Sequence, residues 1–272
     1  MKPIALLITA YNRQEKLERT LASLEPELHL LDIILVDDGS DPPINIDIFS
    51  HYPIHLIRLP ENRGIVGALN AGLEYIYSTD YEYIARLDSD DVVINQRFTK
   101  QLAFLREHRD IGLVGSHFYV VNSNGDILSH SVRPLEDKNI RKAMHLGCVL
   151  GHTTLMMRTD IARKNGFYDR SYKVAQDYEY YWRMLAITKV ANLPDFLVKY
   201  EVGAENSVSV ARRRLQAFNA LKIKLRHFRF FTLYSYMGLF ISLLDMANLL
   251  KYTTKVRKVI MDKLFQEQLK CN

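Results

Sequence analysis

Strand-like apolar segments alternate with amphipathic helical patterns through the first third of the chain, and this alternation leaves few architectures open. The strand-like segments lie at residues 4–9, 33–36, 55–59 and 83–87. Between them, apolar residues recur at helical spacing, at Leu17, Leu21 and Leu24 and again at Ile65, Leu69, Leu73 and Ile76. Strands that alternate with helices predict an α/β domain with a mostly parallel central sheet flanked by helices.

Polar residues follow three of these four strands at the point where each strand ends. Residues 9–13 read Thr-Ala-Tyr-Asn-Arg, residues 37–40 read Asp-Asp-Gly-Ser, and residues 88–91 read Asp-Ser-Asp-Asp. Any one of these clusters is typical of an ordinary turn. In open α/β sheets, however, ligands bind beyond the carboxyl ends of the strands, where all three clusters would lie side by side. The sequence therefore predicts a ligand site at this edge of the sheet.

The third cluster places three carboxylates within four residues, at Asp88, Asp90 and Asp91. A turn needs at most one carboxylate, and three so close together repel one another. A divalent cation would relieve that repulsion, and oxygen ligands suit a hard ion such as Mg²⁺ or Mn²⁺. Because such ions commonly bridge protein carboxylates and substrate phosphates, the cluster indicates a diphosphate substrate.

With further motifs, the chain resembles the family-2 glycosyltransferases, which have the GT-A fold. The matching segments are the three clusters above, Asn62-Arg63-Gly64, Asn70-Ala71-Gly72, Gly166-Phe167-Tyr168-Asp169, and Gln176-Asp177-Tyr178-Glu179 with Trp182-Arg183. The resemblance implies a GT-A domain with a Rossmann-like nucleotide-binding sheet over residues 1–209. It also implies an enzyme that moves a sugar from a metal-bound nucleotide-sugar to an acceptor hydroxyl, with inversion at the anomeric carbon.

The resemblance assigns roles to individual residues. Asp177 resembles the family's general base, although Gln176 stands before it where relatives usually carry Glu. Asp88 and Asp90 resemble the metal-binding Asp-x-Asp motif, which would hold Mn²⁺ or Mg²⁺. The residues that resemble the binding site for the donor nucleotide are Thr9, Tyr11, Arg13, Asp37, Asp38, Arg63, Asp88 and Ser89. UDP-sugars are the commonest donors in the family and are therefore the favoured donor.

Several positions allow a second interpretation or depart from the family. Asp177 alone would also fit a helix N-cap. His152, which resembles a residue near the acceptor, would also fit a structural histidine. Glu201 and Gly203 stand where many relatives carry Arg and His, which argues against a histidine at the metal or diphosphate. The Gln-x-x-Arg-Trp motif of processive relatives is absent, and this favours a single transfer over polymer synthesis.

Basic residues are concentrated in the C-terminal region, residues 210–272. This region has 13 Lys or Arg against three Asp or Glu, a net charge of +10, whereas the whole chain carries +5. Its most apolar part, residues 228–250, has an uncharged stretch of only 15 residues between Arg229 and Asp245, which is short for a membrane span. A basic amphipathic helical tail that contacts a membrane surface is predicted, and a helix packed on the domain is the alternative.

The predicted partners are thus a nucleotide-sugar, a glycan or lipid-linked acceptor and, through the tail, the membrane, in the assembly of cell-surface polysaccharide or lipopolysaccharide. Two cysteines, Cys148 and Cys271, give no disulfide framework and favour the cytoplasm, with the tail at the inner membrane face. A nucleotidyltransferase would need a glycine-rich phosphate loop, which residues 9–13 do not supply. A non-catalytic nucleotide-sugar-binding protein is a second alternative, and the acidic body argues against a nucleic-acid partner.

Overall fold

The computed structural model describes residues 2–202 and 213–246 and has a mixed α/β fold. The strands are β1 (Ile4–Ala10), β2 (Leu31–Asp37), β3 (Ile54–Arg58), β4 (Tyr83–Asp88), β5 (Val92–Val93), β6 (Ile111–Val121), β7 (Ile127–Ser131), β8 (Met156–Arg158) and β9 (Lys189–Glu201). The helices are α1 (Gln14–Ala22), α2 (Gly64–Tyr77), α3 (Arg97–Glu107), α4 (Asp137–Met144), α5 (Thr159–Asn165), α6 (Gln176–Ile187), α7 (Arg213–Arg226) and α8 (Leu233–Met246). Short 3₁₀ turns lie at Glu25–Leu30, Asp47–Phe49 and His152–Thr154.

One sheet runs through the molecule in the order β3-β2-β1-β4-β8-β6-β9-β5, with β7 paired to β6. The half formed by β3, β2, β1 and β4 is parallel, as the alternating pattern predicts. The other half is mixed, because β8 is antiparallel to both β4 and β6, whereas β6 and β9 are parallel. The predicted α/β fold is therefore confirmed, and its parallel part is the half formed by β3, β2, β1 and β4.

The parallel strands read as continuous apolar runs because helices cover both faces of the sheet. From β1, Leu7 points into a cluster with Leu69 and Leu73 of α2. Its neighbours Leu6 and Ile8 point to the opposite face, in a second cluster that holds residues of α1 and α3. Gly72 allows α2 to approach closely, since a Cβ there would lie 2.2 Å from Leu7 Cδ1.

Two of the motifs that resemble the family-2 glycosyltransferases connect the two halves of the fold through hydrogen bonds. The side-chain amide of Asn70 donates to the Tyr168 carbonyl (2.9 Å) and accepts from the Tyr168 amide (2.9 Å). The segment that leads into α6 is thereby held against α2, 98 residues earlier in the chain. These motif residues serve the architecture of the site rather than its chemistry.

The described part of the basic tail forms a hairpin of α7 and α8 that packs on the domain. The buried Lys224 ammonium donates to the carbonyls of Leu146 (3.1 Å) and Gly238 (3.0 Å) and to the Ser242 hydroxyl (2.9 Å). The His227 ring stacks on Trp182 of α6 at 4.8 Å. One face of the tail is therefore packed, as in the alternative interpretation.

In the stretches 2–202 and 213–246, no helix is both long and apolar enough to cross a bilayer. The predicted boundary between residues 209 and 210, Gly203 and the tail beyond Met246, with Cys271, lie outside the described residues.

Candidate active site

Three polar clusters meet at one edge of the parallel half of the sheet. Thr9, near the end of β1, is in register with Asp88 of β4 on one side and with Val36 of β2 on the other. The next residue of β1, Ala10, is in register with Asp37. The strand ends that the sequence analysis singled out are therefore direct neighbours, as expected for the carboxyl ends of parallel strands.

The aspartate pair after β2 has two different environments. Both oxygens of Asp37 are engaged, Oδ1 by the Ser40 amide (2.9 Å) and Oδ2 by the Ile44 amide (3.1 Å) and Arg58 Nε (3.3 Å). Burial opposes ionisation, but these hydrogen bonds outweigh it and hold the pKa of Asp37 below its usual value. Asp37 therefore shapes the loop, and its carboxylate is not open to a ligand as it stands.

The neighbouring Asp38 is the more available carboxylate. Its Oδ1 accepts from the Arg63 amide (2.8 Å) at the start of α2. Burial raises its pKa, and the charge of Asp37 adds to the effect. Gly39 follows with φ +72°, and a Cβ there would lie 2.5 Å from the Glu61 carbonyl carbon. The tight turn thus requires glycine and brings Asp38 beside Arg63.

Tyr11 and Arg13 lie after β1 on the wall of a cleft of about 730 Å³. The cleft runs between residues 11–16 and residues 40–48, and Ser40 and Ile44 line its other wall. Tyr11 is 46% exposed, so its ring is free to cover a planar ligand. Thr9, Asp37, Asp38 and Arg63 are not among the lining residues, and the cleft therefore adjoins the predicted nucleotide residues rather than containing them all.

The acidic cluster after β4 is incompletely neutralised. Asp88 Oδ1 accepts from Arg86 Nη2 (2.5 Å), and Asp90 Oδ2 pairs with Arg13 Nη1 (2.9 Å). Burial and then the charge of Asp88 raise the pKa of both Asp90 and Asp91. Asp91 Oδ1 accepts from the Glu201 amide (2.9 Å), which fixes this buried residue against β9. Ser89, which lies between Asp88 and Asp90 in the sequence, is buried.

The donor set of this cluster fits a divalent ion that a substrate completes. In the described part of the chain, no three His, Cys, Asp or Glu side chains converge as metal ligands. Asp88 and Asp90 offer two carboxylates that repel each other. Mg²⁺ commonly takes that many carboxylates from a protein and the remaining oxygens from phosphate and water.

Asp177 lies in the first turn of α6, one residue inside the helix, after Ala175 with φ +59°. Its Oδ1 accepts from the amide of Tyr178 at 2.8 Å. The N-cap position belongs to Ala175, so Asp177 does not cap the helix as the structural alternative requires. Burial raises the pKa of Asp177, and the negative charge of Asp88 contributes to the rise. The carboxylate therefore lies within electrostatic reach of the acidic cluster.

Three residues near the acidic cluster were not predicted from the sequence as part of the site. Arg86, buried in β4, donates to Leu7 O (3.1 Å), Thr9 Oγ1 (3.0 Å) and Asp88. Thr153 Oγ1 accepts from the Asp88 amide at 3.2 Å. The charges of the three clustered aspartates and Asp177 follow burial in raising the pKa of Tyr200 to about 12. A charged residue inside the apolar run of β4 was the available signal for Arg86.

Glu201, the departure from the family pattern, has a clear environment. Its buried carboxylate pairs with Lys16 (2.6 Å) and with Arg19, both from α1. These hydrogen bonds outweigh burial and lower its pKa. Glu201 therefore fixes α1 against the end of β9, beside Asp91.

His152, which resembles a residue near the acceptor, contacts the buried side chain of Tyr168. Its Nε2 lies 3.2 Å from Tyr168 Oη, and burial, followed by the charge of Arg86, lowers its pKa to about 4. His152 is therefore neutral at pH 7, a state that suits a structural histidine.

Comparisons with known proteins agree with the resemblance. The family model described as glycosyl transferase family 2 matches residues 5–166. A glycosyltransferase of Haemophilus influenzae is 32% identical over 205 residues, covering 73% of this chain and 72% of that protein. The amylovoran biosynthesis glycosyltransferase AmsE of Erwinia amylovora is 28% identical over 233 residues, covering 83% of this chain and 84% of AmsE.

Solved structures share the fold at low sequence identity. S. aureus TarS 1–349 in complex with UDP-GlcNAc has a TM-score of 0.64 and 16% identity, covering 91% of this chain and 72% of that chain. The mannosyltransferase PcManGT of Pyrobaculum calidifontis, in complex with GDP-Man and Mn²⁺, has a TM-score of 0.62 and 12% identity, covering 98% and 80%. The predicted GT-A fold is thereby confirmed. Because the family model matches more than half of its residues, the chain belongs to glycosyl transferase family 2.

Proposed function

We propose that this glycosyltransferase performs a single, inverting transfer of a hexose from a metal-bound UDP-sugar to an acceptor hydroxyl. The proposal rests above all on the position of Asp177, a buried carboxylate close enough to Asp88 for the charge of Asp88 to contribute to its raised pKa. A carboxylate with a raised pKa within reach of a second, metal-type carboxylate pair is the arrangement that direct displacement needs. The base deprotonates the acceptor on one side while the leaving diphosphate is stabilised on the other.

Asp88 and Asp90 would hold the divalent ion, either Mn²⁺ or Mg²⁺. When bound, such an ion neutralises negative charge that develops on the leaving diphosphate. Mn²⁺ is present in the complex of PcManGT, which supports the choice of metal. Arg13 pairs with Asp90 and lies on the cleft wall, so its guanidinium is near enough to assist the same anionic group.

The nucleotide is proposed to bind to five residues, Thr9, Tyr11, Asp38, Arg63 and Ser89. The complex of TarS with UDP-GlcNAc supports a UDP-sugar as donor. Asp37 is proposed to act mainly through the loop that it orders, because its two oxygens already accept from Ser40 and Ile44.

AmsE acts in amylovoran biosynthesis, and this supports a role in cell-surface polysaccharide or lipopolysaccharide assembly at the cytoplasmic face of the membrane.

A donor screen tests the core of this proposal. With Mn²⁺ present, UDP or the correct UDP-sugar at about 100 times its Kd should raise the Tm by roughly 5–10 °C, because only the folded protein binds it. GDP- and ADP-sugars serve as matched ligands, and EDTA should remove the effect. A protein whose Tm responds to none of these ligands would count against donor binding, and one that prefers GDP would correct the nucleotide alone.

Membrane contact is proposed for residues 228–232, within the connection between α7 and α8, which we term the hairpin tip. Phe230 is 75% exposed and Phe231 is fully exposed. The apolar residues of α8 at positions 233, 236, 240 and 243 are also exposed. Arg141, Lys142 and Arg229 line an adjacent cleft of about 530 Å³ with the tip residues. Exposed aromatic rings beside clustered cations favour the surface of an anionic bilayer.

A double substitution, Phe230→Ser with Phe231→Ser, should weaken binding to anionic vesicles by at least about tenfold, because each ring buried in the interface contributes roughly 1.5 kcal/mol or more. Co-sedimentation with phosphatidylglycerol-containing and pure phosphatidylcholine vesicles measures this. Ile127→Ser with Leu128→Ser is the matched control, since these exposed residues lie on β7. Equal vesicle binding by the two double variants would remove the hairpin tip as the membrane contact.

A further inference from the structure

The first helix of the tail hairpin, α7, contacts the segment that carries Asp177. The side-chain amide of Asn219 donates to the carbonyl of Val174 at 2.9 Å, 45 residues earlier in the chain. Both residues are buried, so the hydrogen bond is shielded from water. Val174 stands directly before Ala175, the N-cap of α6, and three residues before Asp177. A side chain of the tail therefore contacts the backbone immediately in front of the proposed base.

The connection that leads into α6 depends on this contact. In the described part of the chain, residues 173 and 174 make no hydrogen bond other than the one from Asn219. Ala175 then has φ +59°, a left-handed conformation that is costly for a residue with a Cβ and persists only where the surroundings hold it. On the N-terminal side of Ala175, Asn219 supplies that support.

On the C-terminal side of Asp177, α7 also contacts α6. The His227 ring stacks on the Trp182 ring, with centroids 4.8 Å apart and planes inclined by 7°. Arg226 Nη1 lies 3.9 Å from Glu179 Oε1. The chain is therefore held against α7 both before and after Asp177.

The face of α7 that makes these contacts belongs to the core. Asn219, Ile223 and His227 recur every four residues and so share one face of the helix. Ile223 is fully buried, in the cluster that includes Tyr178 and Trp182 of α6. This face of α7 is thus a fixed support for α6.

We propose that Asn219 is a positioning residue for the transfer, which holds the Asp177 carboxylate in place through the Val174 carbonyl. A general base must lie within hydrogen-bond distance of the acceptor hydroxyl, so a displacement of the first turn of α6 by about 1 Å would already slow the reaction. Asn219 itself touches no reacting atom. The inference rests on the proposed function, because it takes Asp177 as the base.

A double-mutant cycle between Asn219 and Asp177, in the full chain and with the donor from the screen, tests this role. Asn219→Leu, which has a similar size but cannot donate, should lower kcat by roughly 10- to 100-fold and leave the donor KM and the UDP affinity unchanged. In the Asp177→Asn background, Asn219→Leu should cause no further fall in kcat, because no base is left to position. Asn219→Gln, which keeps the donor group, should retain part of the activity.

Tyr81→Phe is the matched control for stability. Tyr81 Oη donates to Asp32 Oδ2 at 3.2 Å, near the amino ends of β2 and β4 and opposite the candidate active site. Tyr81→Phe and Asn219→Leu should each lower the Tm by roughly 2–6 °C. Only Asn219→Leu should lower kcat at a temperature at which both variants are folded. If Asn219→Leu does not fold, Asn219→Ala takes its place in the cycle.

The outcomes separate this inference from the proposed function. An unchanged kcat in Asn219→Leu would overturn the positioning role and leave Asp177 as the base. The same fold loss from Asn219→Leu with Asp177 present or replaced would overturn it too, because Asn219 would then not act through the base. Full transfer by Asp177→Asn would instead contradict the proposed function.

Discussion

Replacing Asp177 with asparagine is expected to lower kcat by about 10²–10⁴-fold, the usual contribution of a general base. Asparagine has nearly the same shape and can still accept from the Tyr178 amide, but it cannot take a proton from the acceptor. Donor binding should persist, because the proposed donor contacts lie at the ends of β1, β2 and β4. The measurement is a steady-state assay with the donor from the screen, together with a UDP titration.

The raised pKa of Asp177 makes this prediction specific. Catalysis needs the ionised carboxylate, so kcat should fall as pH decreases through the pKa of Asp177, at a higher pH than for an ordinary aspartate. A raised pKa in the folded state also means that folding disfavours ionisation, so this group lowers stability at neutral pH. Asp177→Asn should therefore have an equal or higher Tm at pH 7, and the difference should disappear at pH values below about 3.8.

Asp160→Asn, an exposed carboxylate in the first turn of α5, is the matched control for charge and should leave kcat and its pH profile unchanged. Full transfer by Asp177→Asn would exclude Asp177 as the base. A large fall in Tm for this variant would point instead to a structural role for its contact with Tyr178.

The arrangement of the parallel half of the sheet could be predicted from sequence because parallel pairing leaves little freedom. Once β1, β2 and β4 are recognised, their carboxyl ends must be adjacent, and Thr9 then lies beside Asp88. What could not be predicted is how each aspartate is used. Asp37 and Asp38 are neighbours in sequence, yet one is occupied by the loop after it and the other is held by Arg63. Such differences depend on backbone amides that the sequence does not locate.

The mixed half of the sheet was harder to predict because its contacts join distant parts of the chain. Glu201 meets Lys16 and Arg19 of α1 more than 180 residues earlier, and no periodic pattern connects them. The mixed pairing of β8 and β9 with β6 likewise follows from the packing of the second half rather than from strand propensity.

Asp88→Asn and Asp90→Asn should each remove most of the metal-dependent part of donor binding and lower kcat/KM by about 10²–10³-fold, since both carboxylates are proposed to hold the ion that stabilises the leaving group. In the wild type, UDP binding measured by calorimetry should weaken strongly when EDTA replaces Mn²⁺. In the two variants, affinity should be low and nearly independent of Mn²⁺. Variants that keep the metal dependence of the wild type would exclude the pair as metal ligands.

The same two variants should differ in stability, because the two carboxylates have different partners. Asp88 neutralises the buried Arg86, so Asp88→Asn should lower the Tm of the free protein, at a cost of roughly 1–3 kcal/mol. Asp90 carries a pKa raised by burial and by Asp88, and its partner Arg13 is exposed to solvent, so Asp90→Asn should leave the Tm unchanged or raise it at pH 7. If both variants lose the metal response but only Asp88→Asn has a lower Tm, the role of the carboxylates as metal ligands is separate from the structural role of the Arg86–Asp88 pair. Equal destabilisation by both changes would mean that the cluster is held together by Asp90 as much as by Asp88.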